Sequence, residues 1–249
     1  MKSFSEHIEQ DLRRRIKGEC AFDEGTREQH STDAGWYKVV PVGVVSPVDT
    51  EDVQVLVEYC HKNDIAVIPR GAATGLAGQA IGYGIIVDFT KVMNRVVSQT
   101  DDSVTVQPGL ILSALNEHLL QQKKFFPIDP ASSSLCTLGG MIASNAAGSH
   151  GIKYGATKDF VRELSVVLSN GELAHVTKKS DPNNPLTPFY SSIVKTLSPL
   201  LQEKKKLIRE RFPSVAKNSS GYNLLGAVSL TTTDFRRLLV GSEGTLAIT

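Results

Sequence analysis

Cysteine is scarce in this chain of 249 residues, which holds only Cys20, Cys60 and Cys136. The three lie far apart and form no Cys-x-x-Cys pair, so the sequence offers neither a disulfide framework nor a cysteine-rich zinc or iron–sulfur site. A reducing, cytosolic compartment is favoured. The six histidines are isolated, without the paired spacing of a metal site, and we expect no metal ligands.

Charge of one sign and long apolar runs are also lacking. The 27 Lys and Arg residues balance 26 Asp and Glu residues, so the net charge of +1 gives no bias toward nucleic acid. The N-terminus is charged through Arg15 without the apolar core of a signal peptide, and no segment approaches the ~20 apolar residues that cross a bilayer. We expect a cytoplasmic protein, or one peripheral to a membrane through a partner.

The order of the predicted elements indicates an α+β fold. Polar residues 1–37 contain one helix candidate, from Glu6 to Lys17. A β-branched run over 39–45, a helix that begins near Thr50 and stops at Asn63, and a strand over 65–68 form a β-α-β unit. The later predictions are a strand over 85–89, a strand pair over 95–97 and 103–107, a helix over 110–122, a hairpin over 162–168 and 172–177, a helix or helix pair over 190–211, and a strand within 238–249.

Three segments of small residues carry the chemistry. The first, Pro69 to Gly78, directly follows a predicted strand, and its closely spaced Gly and Ala residues let consecutive backbone N–H groups converge on a phosphate or pyrophosphate. It is not a Walker loop, because no Lys-Ser or Lys-Thr pair follows. Its glycine spacing also differs from the dinucleotide fingerprint. Taken alone, the segment fits an ordinary wide turn equally well.

The second segment runs from Pro127 to Gly148 and is nearly free of large side chains. Within it, Gly139 and Gly140 each cost about 1 kcal/mol in a helix interior relative to Ala. We therefore expect a bulky, flat group to fill the space, with tight helix-on-sheet packing as the alternative. The third segment, Gly241 to Leu246, places glycines around an acid, which fits a close backbone approach to a ligand or a strand-end turn.

In order and spacing, the three segments together resemble the flavin-binding half of the vanillyl-alcohol oxidase/PCMH superfamily. The similarity is greatest to the branch of D-lactate dehydrogenases and glycolate oxidase subunits, and it covers about residues 30 to 249. Lys153 to Asp159 and Ser219 to Leu224 also match that branch. Ile128 to Ser132 and Thr32 to Tyr37 look like versions that carry a fused or partner iron–sulfur subunit.

The resemblance implies a PCMH-type FAD-binding fold of two α+β subdomains with the flavin between them. Residues 1–37 would form a helical and extended lead-in, 38–98 the first subdomain with the pyrophosphate loop, and 99–249 the second subdomain, truncated before the substrate or cap domain. In this branch the cap domain carries the metal site, the substrate-carboxylate arginine and the base. Because the cap domain is absent from this chain, the catalytic residues are left unassigned, and we expect a fragment or a natural subunit.

The resemblance also implies which residues contact FAD. One loop would hold the pyrophosphate, two segments would run beside the ribityl chain and the ring, and a C-terminal strand would lie beside the adenosine. The implied contacts are Pro69, Arg70, Gly71, Ala72, Ala73, Thr74, Gly75, Leu76, Gln79, Pro130, Ala131, Ser132, Thr137, Gly139, Gly140, Ser144, Asn145, Ala147, Gly148, Glu243, Gly244 and Ile248. Some branches tether the flavin covalently through a histidine, and this chain has Thr74 at that position. Noncovalent FAD is therefore implied.

The implied function is FAD-dependent oxidation of a small D-2-hydroxy acid, such as lactate, glycolate or 2-hydroxyglutarate, to the 2-oxo acid. Electrons would leave to an iron–sulfur subunit, an electron-transfer flavoprotein or a quinone. Two alternatives stay open: a noncatalytic flavin-binding electron-transfer subunit whose substrate site is on a partner chain, and a phosphate-binding structural protein. Five histidines fit surface or loop positions, and for His150 a loop position is favoured over a catalytic one.

Overall fold

The computed structural model describes residues 4–178, 186–215, 218–229 and 232–249. A four-stranded sheet organises the N-terminal half, with β1 (Glu19–Ala21), β2 (Gly43–Ser46), β3 (Val67–Arg70) and β4 (Ile85–Asp88). The order is β1-β2-β4-β3. The last three strands are parallel and β1 is antiparallel to β2. The predicted β-α-β unit is confirmed, and β4 lies between its two strands.

Helix α3 (Thr50–Lys62) connects β2 to β3 and packs through one apolar stripe, as predicted. Val53, Leu56 and Cys60 are buried on that face, because residues three and four positions apart share one side of a helix. The helix begins at Thr50, as expected, and its N-cap is Asp49. Its carboxylate accepts the backbone N–H of Asp52 at 3.0 Å.

Helix α1 (Phe4–Arg15) packs against the four-stranded sheet and α3. Its residues Ile8 and Leu12 are buried in the same apolar cluster as β2, α3 and β4. The buried carboxylate of Asp52 completes the attachment by accepting the backbone N–H groups of Lys17, Gly18 and Val48 at 2.9 to 3.0 Å. Helix α1 and the residues just after it therefore belong to the core of the first half.

Most of the remaining elements contribute to two further apolar clusters. The predicted hairpins are confirmed, and the helix over 190–211 is a pair. In chain order the elements are α2 (Glu24–Gln29), β5 (Val96–Gln99), β6 (Val104–Val106), α4 (Leu112–Leu120), α5 (Leu138–Ala143), α6 (Gly151–Tyr154), β7 (Glu163–Val167), β8 (Leu173–Thr177), α7 (Pro188–Glu203), α8 (Lys205–Arg211), α9 (Leu224–Ala227) and α10 (Phe235–Leu239).

The strand predicted within 238–249 is largely wrong. Leu238 and Leu239 belong to α10, which begins after Asp234 caps its first turn. A turn over 241–244 follows, in which Gly241, Glu243 and Gly244 have positive φ. Only Ile248 pairs in extended form, through an isolated bridge to Val167 on β7. The Leu-Leu-Val run has the composition of a strand, but the cap at Asp234 and the turn over 241–244 make its backbone helical.

Among the described residues, no helix combines the length and the apolar character that crossing a membrane would need.

Candidate cofactor site

A cleft of about 220 Å³ lies where the end of β3, the beginning of α5 and the turn over 241–244 meet. We call it the small-residue cleft. It brings together most of the residues predicted from the three segments, although they are distant along the chain. The predicted residues that line it are Pro69, Arg70, Gly71, Ala72, Ala73, Thr74, Gly75, Gln79, Pro130, Ser132, Thr137, Gly139, Gly140, Ser144, Glu243 and Gly244.

Six predicted residues lie outside this lining: Leu76, Ala131, Asn145, Ala147, Gly148 and Ile248. Leu76 is 70% exposed. Asn145 is buried and accepts the backbone N–H of Lys158, so its side chain is used for folding. Ile248 belongs to the apolar core and lines a larger cleft of about 1000 Å³ between the β5–β6 and β7–β8 hairpins.

Sequence reasoning missed other residues of the lining, among them Ala80, Phe89, Pro108, Met141, Ala143, Ala146, Leu239, Ser242, Ala247 and Thr249. Phe89 had a usable signal. It directly follows β4, and the carboxyl ends of neighbouring parallel strands meet at one sheet edge, beside the loop after β3. Ala143, Ala146 and Ala247 are immediate neighbours of predicted residues, so the missed set extends the same segments.

Two close contacts shape the loop after β3. A Cβ atom on Gly71 would lie 2.1 Å from Oγ1 of Thr137, so position 71 has no room for a side chain, and one on Gly75 would lie 2.4 Å from the side-chain amide of Gln79, which would have to move. Ala73 has a φ of 52°, in the left-handed region that costs a residue with a Cβ atom about 1 kcal/mol or more. The loop accepts this strain in a conformation that turns its backbone toward the cleft.

The backbone N–H groups of this loop supply the donor set. Across the described part of the chain, the amides of residues 71–76 donate to no protein acceptor. The loop is held instead through a carbonyl, because Ala34 donates its N–H to Ala73 at 3.1 Å. A run of unused amides beside a space free of side chains is the arrangement that binds phosphate groups. The residues therefore fit the pyrophosphate of FAD.

Arg70 supplies positive charge beside these amides. Its guanidinium Nη1 donates to the carbonyl oxygens of His30 at 3.3 Å and Ala80 at 3.1 Å, which ties the loop to the segment after α2. Burial lowers the pKa of Arg70, and the nearby carboxylates of Asp88 and Asp33 oppose that shift. The side chain remains cationic because a guanidinium keeps its proton in proteins.

Asp88, at the end of β4, is buried beside Arg70. Burial alone would raise the pKa of Asp88, but hydrogen bonds from His30 and Thr90 outweigh it and lower the pKa. Oδ1 accepts both the N–H and the hydroxyl of Thr90 at 2.9 and 2.7 Å, and Oδ2 lies 3.3 Å from Nε2 of His30. His30 lies in the turn after α2, as a loop histidine would, but it is not a surface side chain, because only 13% of it is exposed.

The glycine pair at the start of α5 has two roles. Thr137 caps the helix by accepting the N–H of Gly140 at 3.3 Å. A Cβ atom on Gly139 would lie 2.8 Å from Cβ of Pro108, so this glycine permits tight packing against the segment before α4. Both glycines also line the cleft. Tight packing thus explains the glycine at position 139, and the open space that the sequence predicts beside the two glycines is also present.

Cys136 and His150 differ in their relation to the cleft. Cys136 is buried and lines it, and burial raises the pKa of its thiol. His150 lies outside the lining and is exposed. Its Nδ1 is 3.2 Å from Asp129, whose carboxylate also accepts the hydroxyl of Ser149. Within the described residues, no group of three or more histidine, cysteine or acidic side chains is arranged to hold a metal ion.

The sequence profile of the FAD binding domain family matches residues 41–177, more than half of the chain. The chain belongs to this family. The matched range contains the loop after β3 and the segment around α5, which together form most of the small-residue cleft. The expected FAD cofactor is confirmed at the level of the family.

Relatives with curated names share about a third of the aligned residues. D-2-hydroxyglutarate dehydrogenase of Escherichia coli (strain K12) is 33% identical over 247 residues, covering 92% of this chain and 24% of the relative. D-lactate dehydrogenase of Anaerostipes hadrus is 32% identical over 223 residues, covering 88% and 37%. Glycolate oxidase subunit GlcD of Bacillus subtilis (strain 168) is 29% identical over 239 residues, covering 94% and 41%. The chain thus spans about a quarter to two fifths of these relatives.

Among solved structures, an alkyldihydroxyacetonephosphate synthase matches with a TM-score of 0.69 at 19% identity. The match covers 99% of this chain and 42% of that protein. At this identity the likeness concerns the fold alone. It confirms the expected PCMH-type FAD-binding fold with mixed helices and strands.

Proposed function

We propose that this chain is the FAD-binding half of an oxidoreductase that converts a small D-2-hydroxy acid to the 2-oxo acid. The observation that carries the proposal is the run of unused amides over 71–76, placed in one cleft with the small-residue segments. The names of the relatives support the substrate class, since all three act on, or are named for, 2-hydroxy acids. Lactate, glycolate and 2-hydroxyglutarate are the candidates.

In this proposal the chain binds and orients its cofactor rather than performing proton transfer. Bound FAD supplies a hydride acceptor. The amides of the loop donate hydrogen bonds to its pyrophosphate, and Arg70 adds positive charge. Gly139, Gly140 and Ser144 place no large side chain on their part of the wall, so a flat ring can lie against the backbone there. Thr74 cannot form the histidine tether of covalent flavoproteins, and the attachment is noncovalent.

The implied contacts outside the lining belong to the proposal as well. They would contact FAD through backbone atoms or support the residues that do, and they are Leu76, Ala131, Asn145, Ala147, Gly148 and Ile248. The division into a lead-in over 1–37 and subdomains over 38–98 and 99–249 is likewise proposed. Electrons would pass to an iron–sulfur subunit, an electron-transfer flavoprotein or a quinone. The protein would work in the cytoplasm, or at a membrane surface through that partner.

A noncatalytic electron-transfer subunit is the second candidate. It is favoured by the lining of the small-residue cleft, where, among the described residues, Glu243 is the only carboxylate and no histidine is present. A base that removes the hydroxyl proton of the substrate would then come from a partner chain. In both candidates the FAD site is the same.

Reconstitution with FAD tests the site first. We expect the purified chain to take up FAD and to show flavin absorbance, whereas a Gly75→Val variant binds FAD more weakly because its side chain stands at the lining of the cleft and displaces Gln79, which also lines it. Gly151→Val is the matched control, since a Cβ atom there contacts nothing within 4 Å. Equal FAD affinity in the wild type and the Gly75 variant would remove the loop assignment.

Anaerobic bleaching of the bound flavin then separates the two candidates. D-lactate, glycolate and D-2-hydroxyglutarate are each added to the FAD-loaded chain, alone and with a partner protein. Reduction by the chain alone rejects the noncatalytic subunit. Reduction only in the presence of the partner supports it.

A further inference from the structure

The segment over 32–38 forms a small closed loop after α2, which we call the clasp. An antiparallel bridge joins Thr32 to Lys38 at its base. Just outside this bridge, the N–H of Val39 donates to the carbonyl oxygen of Ser31 at 2.8 Å. Ser31 is buried, and its hydroxyl donates to a carbonyl oxygen on α2 at 2.7 Å. The clasp is therefore closed at its base and anchored to a helix.

The clasp contacts the loop after β3 at three points. The contacting pairs are Ala34 with Ala73, Gly35 with Leu76, and Tyr37 with Gly78. The first pair is joined by a hydrogen bond of 3.1 Å from the N–H of Ala34 to the carbonyl oxygen of Ala73. In the second pair, a Cβ atom on Gly35 would lie 2.5 Å from the carbonyl oxygen of Leu76. Because that neighbour is backbone, a side chain at position 35 would push the clasp and the loop apart.

Asp33 shapes the clasp through its own carboxylate. Its Oδ1 accepts the N–H of Gly35 at 2.7 Å, which closes a turn of the kind that Asp side chains form with the backbone two residues on. Its Oδ2 is buried and, among the residues that the structure describes, has no hydrogen-bond partner. An oxygen in this position costs stability, so its presence calls for an explanation. The turn that Asp33 fixes presents Ala34 and Gly35 to the loop, which accounts for a carboxylate here.

The hydrogen bond to the carbonyl of Ala73 sets the direction of an amide in the loop. In a planar trans peptide group the carbonyl and the following N–H point in opposite directions, so the N–H of Thr74 points away from the clasp. Thr74 lines the small-residue cleft. Ala73 has a φ of 52°, which is strained for a residue with a Cβ atom. Without the clasp, relief of that strain would turn the peptide groups on either side of Ala73.

We propose that the clasp is a positioning element for the amide loop over 71–76, and that Asp33 and Gly35 raise the affinity of this loop for a dinucleotide pyrophosphate. Both residues lie outside the lining of the cleft, so they act through Ala73 rather than on the ligand. The clasp holds the loop in its strained conformation before the ligand binds, so binding does not have to supply that change. The inference rests on the proposed function, because it takes the pyrophosphate of FAD as the ligand of these amides.

The first experiment opens the clasp with Gly35→Ala and measures FAD affinity by isothermal titration. We expect binding to weaken on the order of tenfold, a factor in keeping with the strain of one left-handed residue. Gly18→Ala is the matched control, because a Cβ atom there would also meet a backbone carbonyl oxygen, that of Ser46 at 2.2 Å, outside the cleft. It should lower thermal stability and keep FAD affinity. Wild-type affinity in Gly35→Ala, or an equal loss in Gly18→Ala, would overturn the proposal.

The second experiment changes Asp33 without adding atoms to the clasp. Asp33→Ala removes the acceptor of the Gly35 N–H and should weaken FAD binding. Asp33→Asn keeps an oxygen acceptor at the same place, so its affinity should return to that of the wild type. Equal affinities of Asp33→Ala and the wild type would contradict the role of the turn, and so would equal losses in the two variants.

A third experiment tests whether the clasp acts through backbone strain at Ala73. Glycine adopts a positive φ without penalty, so in an Ala73→Gly background the loop no longer needs to be held. In that background Gly35→Ala should lower FAD affinity by a smaller factor than in the wild type, which a double-mutant cycle measures. The same factor in both backgrounds would assign Gly35 a general role in stability and reject the proposed mechanism.

Failure of the proposed function gives a different result. A wild type that binds no FAD contradicts the FAD assignment rather than the role of the clasp. Inorganic pyrophosphate then becomes the probe, followed through the backbone amide shifts of Gly71 to Leu76. Weaker binding by Gly35→Ala and Asp33→Ala than by the wild type supports the inference. Equal binding by these proteins, or none by the wild type, contradicts it.

Discussion

Gly71 packs so closely against Thr137 that a Cβ atom at position 71 would lie 2.1 Å from the threonine Oγ1. The contact joins the end of β3 to the N-cap of α5, although 66 positions separate the two residues in the sequence. It fixes the width of the small-residue cleft. Neither residue can become larger without moving one wall relative to the other.

Gly71→Val should therefore weaken FAD binding by about tenfold or more, since forcing extra atoms into a packed site costs ~1–3 kcal/mol. Isothermal titration with FAD measures the change. Gly151→Val is the control, because its Cβ atom would contact nothing within 4 Å. Unaltered affinity in the Gly71 variant would contradict the role given to this contact.

Gly244→Ala should destabilise the turn over 241–244 by two effects. Its φ of 77° disfavours any residue with a Cβ atom, and the new atom would lie 2.7 Å from Cγ of Pro69. Gly221→Ala has a φ of 71° and no Cβ neighbour, so it carries the backbone cost of about 1 kcal/mol alone. Thermal unfolding should give a larger loss for position 244. Equal losses would show that the contact with Pro69 contributes nothing.

Arg236 is buried at the start of α10, pairs with Asp234, and donates to the carbonyl oxygens of Val161 and Arg162. Arg236→Met would remove the guanidinium from the Asp234 carboxylate, which keeps only the backbone N–H of residue 236, and would leave two carbonyls without their donor. We expect a loss of about 3–5 kcal/mol in the free energy of unfolding, measured in urea. Arg237→Met removes a more exposed pair and should cost about 0–1 kcal/mol. Similar losses for both would refute this ranking.

Asp88→Asn should lower stability at neutral pH and lose its effect in acid. The pKa of Asp88 is lowered in the folded protein, so its stabilisation is complete above the unfolded pKa of about 3.9 and disappears as the pH falls through the folded value. Charged hydrogen bonds of this kind contribute about 1.5–3 kcal/mol. Urea midpoints of both proteins should converge at low pH. Asp101→Asn, at an exposed turn, should follow the wild type throughout.

The sequence was sufficient for features that depend on local composition. The apolar spacing of Val53, Leu56 and Cys60 predicts the buried face of α3, because a helical period needs no tertiary information. The small residues of the three segments predict where the backbone can approach a ligand. The prediction that the three segments meet in one cleft came from the resemblance to a known fold.

Other features depend on contacts between distant residues. His30 and Asp88 are 58 positions apart, and nothing near either one signals a partner. Leu238 and Leu239 have the composition of a strand, yet the cap at Asp234 places them in a helix. Ile248 faces the core because its bridge to Val167 sets the side on which it points. Each outcome is decided by tertiary structure.

The contacts of Asp52 show that the part of the chain that matches the family is shorter than the part that is needed for folding. The family similarity begins at residue 41, but three amides that Asp52 accepts include two from the residues just after α1. A chain cut at residue 41 would lose Ile8 and Leu12 from the apolar cluster around β2, α3 and β4. It would also leave the buried carboxylate of Asp52 without two of its hydrogen-bond donors. The shortest fragment that folds must therefore begin well upstream of the shortest one that can be recognised.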